Sequence, residues 1–313
     1  APYTHPSLVS SPEHASLLKA LKPTIVNTGT NHCMDGGRTG IELTESILAE
    51  MGACSIGSGV NEEDSRKPCF LEIDDVTFGF LSFCKKGNFT ASGDKPGAAL
   101  LSKENLQSDI SGACNQCDFL IVSMHMGMEF SKSVHPMYRK LAHQAVDLGA
   151  SCVIGHHPHV IQGIETYKDT PIFYSLGNFL FDNYAGAVTY KAHWKTRHRG
   201  ILAKVFFSSD GVSYEVIPVV YTSKPLAVQI AEDMDSQDIL SEITSLYEGI
   251  TRGIDQGSAE TEAVSAIAKR EIATIIVLTK IHGVRFLWYF IKDLKLRHFK
   301  MVFRAIWKRI TGK

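Results

Sequence analysis

The sequence of 313 residues contains no uninterrupted apolar run that approaches the roughly 20 residues of a membrane-spanning helix. It has only 11 Pro, and 44% of its residues are hydrophobic, so disordered, collagen-like and low-complexity classes of protein are excluded. Its seven Cys lack the spacing of a disulfide framework, and Cys114 and Cys117 lack the second Cys pair of a four-thiolate metal site. The polar, Pro-containing first residues predict that this chain carries no signal peptide.

The formal net charge of −1 favours no class of partner, but the charge is unevenly distributed. Residues 280–313 hold ten Lys or Arg residues and one acidic residue, Asp293, a net charge of +9. Apolar residues such as Trp288, Ile291 and Val302 recur there at near-helical spacing. We predict a basic amphipathic helix over 281–313 that holds the protein peripherally at an anionic membrane surface, on either side. The alternative is a helix that packs on the protein's own core, and nucleic acid is not predicted, because no recognised binding module accompanies the charge.

Short apolar strands alternate with amphipathic helices up to Pro225, which predicts an α/β domain over residues 1–224. After Pro225 the pattern is helical, and we predict a helical extension over 225–280 ahead of the basic helix. The predicted hairpins join strands 70–73 and 76–84 at Asp74-Asp75, and strands 201–207 and 212–220 at residues 208–211. The other predicted elements are strands at 24–28, 119–123, 151–154 and 172–174, and helices at 38–51 and 136–149.

Four of these strands run directly into polar loops. The loops contain, in chain order, Asn31-His32, His125, His156-His157-Pro158-His159 and Ser175-Leu176-Gly177-Asn178. If the strands are parallel neighbours, their carboxyl ends meet at one edge of the sheet, which is where open α/β sheets bind ligands. Five His from three loops are typical of a site for zinc, manganese or iron, because neutral imidazole is a common ligand of these metals.

The individual residues differ in how strongly they indicate a metal. His125 alone has the ordinary interpretation of a turn residue, whereas three imidazoles at 156, 157 and 159 have little reason to be there for packing. Pro158 restricts the backbone so that His157 and His159 can point to one side. The carbonyl oxygen of Asn31 is a possible metal ligand, and His32 could supply a proton to a leaving group.

Five ordered segments resemble the CapA family of capsule and poly-γ-glutamate biosynthesis proteins, a branch of the calcineurin-like metallophosphatase superfamily. They are residues 31–37 (NHCMDGG), 125–130 (HMGMEF), 147–150 (DLGA), 155–159 (GHHPH) and 174–179 (YSLGNF). The resemblance covers about residues 10–222. It implies a four-layer α-β-β-α sandwich with two facing mixed sheets and a metal site at the strand ends.

The resemblance also implies roles for individual residues. Asn31, His125, His157 and His159 match the metal ligands of the superfamily, and His156 competes with His157 for one position. By the same resemblance His32 is the general acid, while Asp35 and Glu129 orient the metal ligands. The metal would be manganese, zinc or iron, and the substrate a phosphoester or an anionic cell-surface polymer.

The Gly-Asp and Asn-Leu-Glu motifs with which this family begins are not found in residues 1–30. We therefore expect the domain to be N-terminally incomplete, with one metal ion on the His cluster rather than two, because no carboxylate is present to bridge a metal pair. Two functions stay open at this point. One is a metal-dependent hydrolase of polymer biosynthesis. The other is a non-catalytic component, docked at the membrane among other polymer-synthesis proteins, with a vestigial metal site.

Overall fold

The computed structural model describes residues 8–180, 198–223 and 226–252. A 3₁₀ turn (Pro12–His14) precedes helices α1 (Ala15–Leu21), α2 (Gly37–Glu50), α3 (Glu62–Ser65), α4 (Lys103–Cys114), α5 (Pro136–Asp147) and α6 (Asp233–Arg252). The strands are β1 (Ile25–Asn27), β2 (Cys54–Ile56), β3 (Ser58–Gly59), β4 (Cys69–Ile73), β5 (Val76–Cys84), β6 (Gly97–Ala98), β7 (Phe119–His125), β8 (Cys152–His156), β9 (Ile164–Tyr167), β10 (Thr170–Phe173), β11 (Arg199–Ser208), β12 (Gly211–Ser223) and β13 (Leu226–Ile230). The α/β class predicted from the sequence is confirmed.

The largest sheet has six strands in the order β4-β5-β7-β8-β10-β9. Strands β5, β7, β8 and β10 are parallel, and antiparallel β4 and β9 form the two edges. The hairpin predicted between β4 and β5 is present, and its turn residues Asp74 and Asp75 have φ of 48° and 62°. Two consecutive positive φ values are those of the tight turn that matches the twist of hairpin strands.

Alternation along the strands of this sheet builds two apolar layers. Leu120, Val122 and Met124 of β7 belong to one buried cluster together with residues of α4 and α5, such as Ile110 and Ala142. The intervening β7 residue Ile121 belongs to a second cluster, which includes residues of the antiparallel sheet β11-β12-β13. The six-stranded sheet therefore lies between helices and a second sheet, because successive strand residues point to opposite faces. Facing sheets were expected, while a complete four-layer arrangement stays a prediction.

Strand β1 does not join the six-stranded sheet. It pairs in parallel with β2 as a separate two-stranded sheet. A disulfide between Cys54 of β2 and Cys69 of β4 connects the two sheets. The sequence analysis, which found no disulfide framework, did not predict this pair, because a separation of 15 residues carries no signal of its own.

The prediction of helix for the residues after Pro225 was wrong for 226–230. These residues form β13, which pairs antiparallel to β12 with Val219 opposite Ile230 and Tyr221 opposite Val228. Pairing with a strand that is already present outweighs local helical preference. Helix α6 follows at 233–252, as the helical pattern predicts. The rest of the predicted extension and the basic helix of 281–313 lie outside the described residues.

Candidate functional site

The carboxyl ends of four parallel strands meet at one edge of the six-stranded sheet. His125 ends β7, His156 ends β8 directly beside it, and Lys85 follows the end of β5 on the other side. The backbone N–H of Lys85 donates to the carbonyl oxygen of His125 at 2.9 Å. The predicted convergence of strand ends is confirmed for β7, β8 and β10, while the loop after β1 reaches the same place from the smaller sheet.

A continuous chain of hydrogen bonds joins four side chains at this edge. Asn27 Nδ2 lies 2.5 Å from His156 Nε2, the two Nδ1 atoms of His156 and His125 lie 2.7 Å apart, and His125 Nε2 lies 2.8 Å from Asn31 Oδ1. His125 has 6% exposure. The side chains from β1, β8 and β7 therefore form one partly buried polar unit with the loop after β1.

The protons in this chain follow from Asn27. Its Oδ1 accepts from the backbone N–H of Gly29 at 2.9 Å and from the Ser82 hydroxyl at 2.8 Å, so its Nδ2 faces His156. Because an amide nitrogen only donates, His156 accepts at Nε2 and carries its proton on Nδ1. His156 then donates to His125 Nδ1, and His125 donates from Nε2 to the Asn31 oxygen.

His157 is buried beside this chain, with its ring centroid 4.7 Å from that of His125. Its Nε2 accepts from Lys85 Nζ at 2.6 Å, whereas its Nδ1 is buried and has no hydrogen-bond partner among the described residues. A buried polar atom without a partner is uncommon, because leaving it unpaired costs roughly 1–3 kcal/mol. Within the part of the chain that the structure describes, His157 is therefore the imidazole of the cluster with an unpaired buried nitrogen.

Burial disfavours the charged form of three histidines of the centre, His125, His156 and His157. Burial is the largest cause that lowers the pKa of His125 and of His157, and it lowers the pKa of His156 to about 4. Burial also lowers the pKa of Lys85, an effect that the negative charge of Glu129 opposes. Neutral imidazoles are the form that binds metal ions.

His159 and Asn178 connect the loops after β8 and β10. His159 Nδ1 lies 2.9 Å from Asn178 Oδ1, and the His157 and His159 rings are 6.3 Å apart. Both histidines have positive φ, 111° and 59°, on either side of Pro158. This uncommon backbone turns the two rings into the same region, as the sequence around Pro158 predicts.

His32 and Asp35 form a partly exposed pair in the loop after β1. His32 Nδ1 lies 2.8 Å from Asp35 Oδ2, and the two side chains have 34% and 21% exposure. The backbone N–H of Leu8 donates to the same carboxylate oxygen at 2.7 Å. Asp35 is therefore placed to orient His32.

The five predicted metal ligands thus lie together, but they do not form a complete metal site. Asn31, His125, His156, His157 and His159 lie together, whereas no three His, Cys, Asp or Glu side chains within the described ranges enclose a position for a metal ion. The kinds of donor fit a divalent cation, since the amide oxygen of Asn31 and the imidazoles of His125, His157 and His159 lie together.

Three residues of this centre were not predicted as functional. Lys85 follows a strand that the sequence presents only as half of a hairpin, although a polar residue after an apolar strand is the signal that identified His125. Asn27 lies inside the predicted strand 24–28. Asn178 belongs to the segment 174–179, which resembles the family but implies no role for this residue. The sequence contains no sign that Asn27 reaches His156, 129 residues further along the chain.

The fold and centre define an α/β protein with a histidine-rich site at the carboxyl ends of its strands. The chain belongs to the family described as "Bacterial capsule synthesis protein PGA_cap", whose model matches residues 1–183. This confirms the family expected from the five motifs.

Two curated relatives are similar to much of the chain. It is 30% identical over 243 residues to the "PGA biosynthesis protein CapA" of Bacillus subtilis (strain 168), with 76% of this chain and 61% of that protein covered. It is 34% identical over 175 residues to the "Capsule biosynthesis protein CapA" of Bacillus anthracis, with 53% and 42% covered. The chain thus spans about half the length of these relatives.

A solved structure described as a putative 5'-nucleotidase from Staphylococcus aureus in complex with alpha-ketoglutarate is also similar. The match covers 75% of this chain and 44% of that one, with 14% sequence identity and a TM-score of 0.46.

Proposed function

We propose that the strand-end centre binds one divalent cation and hydrolyses a phosphoester in the biosynthesis of an anionic cell-surface polymer. The observation that carries this proposal is the contact of His125 Nε2 with Asn31 Oδ1 at 2.8 Å, beside the buried ring of His157. The polymer is inferred from the names of the relatives, which refer to PGA and to capsule biosynthesis. The chemistry is inferred from the site.

Asn31, His125, His157 and His159 are the residues that would hold the cation. A divalent cation supplies Lewis acidity toward a phosphoryl oxygen and makes nearby water more acidic. The buried imidazoles would contribute uncharged ligands, because burial opposes their protonation. We assign His156 to positioning His125 rather than to the ligand set, because its two ring nitrogens face Asn27 and His125, whereas His125 Nε2 faces Asn31, itself a proposed ligand.

His32 is the proton donor of this proposal. Its Nδ1 is held by Asp35, which leaves Nε2 as the nitrogen that carries a transferable proton. The partial exposure of the pair is compatible with contact to a substrate that arrives from solvent.

The test is hydrolysis of an aryl phosphodiester or monoester by the protein loaded with manganese or zinc. His32→Ala should lower turnover by about 10²-fold or more while the bound metal content stays unchanged, because the residue acts on the leaving group. His14→Ala is the matched control, since His14 is exposed and lies outside the centre. Equal loss of metal and turnover in His32→Ala would instead make His32 a ligand.

A non-catalytic role in polymer assembly is the second candidate. It is favoured by the absence, among the described side chains, of three His, Cys, Asp or Glu that enclose a metal position. Full metal occupancy without turnover on any phosphoester would support this role over hydrolysis.

For either role we propose peripheral attachment to an anionic membrane through the +9 segment 280–313. Of the helices that the structure describes, none is both long and apolar enough to cross a membrane. Co-sedimentation with anionic but not neutral vesicles, lost on deletion of 281–313 and weakened by salt, is the expected result. Retention on anionic vesicles after the deletion would contradict it.

A further inference from the structure

Lys85 is fixed at the centre by its backbone as well as by its side chain. Its N–H donates to the carbonyl oxygen of His125, and its Nζ reaches His157 Nε2 at 2.6 Å. The next residue, Lys86, is exposed, so the two adjacent lysines differ in environment but not in charge.

The contact between Lys85 and His157 occupies the lone pair that a metal would need. A neutral imidazole has one nitrogen with a lone pair in the ring plane and one that carries a proton. Because the ammonium group donates to Nε2, the ring proton is on Nδ1, and neither nitrogen of His157 can then bind a metal. The Nδ1–H group that results is the buried group of His157 without a partner among the described residues.

Charge works in the same direction as the hydrogen bond. An ammonium group close to a divalent cation repels it, and the repulsion is stronger in a partly buried site than in water. Glu129 is the carboxylate whose field acts on Lys85, so a negative group that could receive the displaced ammonium is already near.

We infer that Lys85 is an internal competitor of the divalent cation: it holds His157 when no metal is bound and must leave Nε2 before His157 becomes a ligand. This inference rests on the proposed metal site.

The experiment compares Mn²⁺ and Zn²⁺ affinity by titration calorimetry in the full chain and three variants. Lys85→Met should bind each ion about tenfold or more tightly, because both the hydrogen bond and the positive charge are removed. Lys86→Met is the matched control and should bind like the unaltered protein. His125→Ala should bind at least about tenfold more weakly, because it removes a proposed ligand.

The outcomes separate this inference from the proposed function. Equal or weaker binding by Lys85→Met, with His125→Ala still impaired, would overturn the role of Lys85 and leave the metal site standing. Absence of binding in all four proteins would overturn both.

A second measurement covers the case in which Lys85→Met fails to fold. In the unaltered protein, the ¹⁵N shifts of His157 should identify Nδ1 as protonated without metal, and saturating Zn²⁺ should shift the Lys85 ammonium signal. A Lys85 signal that is unchanged at saturation would overturn the inference.

Discussion

His125 Nε2 lies 2.8 Å from Asn31 Oδ1, although 94 residues separate them in sequence and their strands belong to different sheets. The contact exists because β7 ends at the point where the loop after β1 crosses the edge of the large sheet. On the other side of His125, the hydrogen bonds continue through His156 to Asn27. Both ends of this run of hydrogen bonds therefore lie in β1 and the loop that follows it. The two sheets are thereby joined through the centre itself.

Replacement of Asn27 should destabilise the protein. Asn27→Leu leaves His156 Nε2, the Ser82 hydroxyl and the Gly29 N–H without this partner, and should lower the free energy of unfolding by about 2–4 kcal/mol. Denaturant unfolding measures the change. Asn115→Ala, at an exposed helix end, should change it by less than about 0.5 kcal/mol, and an equal effect of both would refute the importance of the buried chain.

The Asn27 variant should also change the histidine protonation pattern. With the amide removed, His156 is no longer obliged to carry its proton on Nδ1, so the ring ¹⁵N shifts of His156 should move toward a mixture of tautomers. Unchanged shifts would mean that Ser123, whose hydroxyl is 3.1 Å from His156 Nε2, sets the tautomer instead.

Glu165, a buried carboxylate that has no proposed role in the centre, should control stability at low pH. Burial would raise the pKa of Glu165, but hydrogen bonds from Arg139, Tyr174 and His143 outweigh it and lower the pKa to about 2. Because the folded pKa is depressed, the stabilisation is complete above the ordinary pKa near 4.5 and is lost as pH falls toward 2. Glu165→Gln should cost about 2 kcal/mol at pH 7 and flatten this acid limb.

The control for Glu165 is a carboxylate of the same type at the surface. Glu215 pairs with Lys204 at 3.7 Å, and both side chains are more than half exposed. Glu215→Gln should change the free energy of unfolding by less than about 0.5 kcal/mol and leave the acid limb in place. A similar loss of acid stability in both variants would count against a special role of Glu165.

The Cys54–Cys69 disulfide should be detectable and stabilising. Peptides that contain Cys54 and Cys69 should be linked under non-reducing conditions by mass spectrometry. The double replacement by Ser should lower the free energy of unfolding by about 3 kcal/mol, because a loop of this size is no longer closed in the unfolded chain. In reductant, the unaltered protein should then have the same free energy of unfolding as the double variant. A lower free energy of unfolding of the double variant itself in reductant would point to a different pairing.

Gly155 should not tolerate a side chain. An added Cβ would overlap the carbonyl oxygen of Tyr174, because β8 and β10 approach closely just before the histidine loop. Gly155→Ala should cost about 3 kcal/mol or more and displace His156. Gly112→Ala in the interior of α4, where an added Cβ meets nothing within 4 Å, should instead stabilise by up to about 1 kcal/mol.

The sequence predicts the parts of this site that depend on local pattern. Apolar strands followed by Asn31, His125 and the histidines of 156–159 identify the ligand candidates, and the two hairpins are confirmed with their turns. It does not predict partners that depend on strand order. Lys85 becomes a neighbour of His125 only because β5 lies parallel to β7, and Cys54 meets Cys69 only because β2 lies near β4.

The wide separation of the groups in the centre has a consequence for synthesis of the chain. Asn27 and Asn31 leave the ribosome first, but the imidazole that accepts from Asn27 follows 129 residues later, and Asn178 later still. Until β8 has been made and has paired with β7, Asn27 has no histidine to bind. The centre is therefore one of the last features that the growing domain can acquire, since contacts of such long sequence separation form slowly.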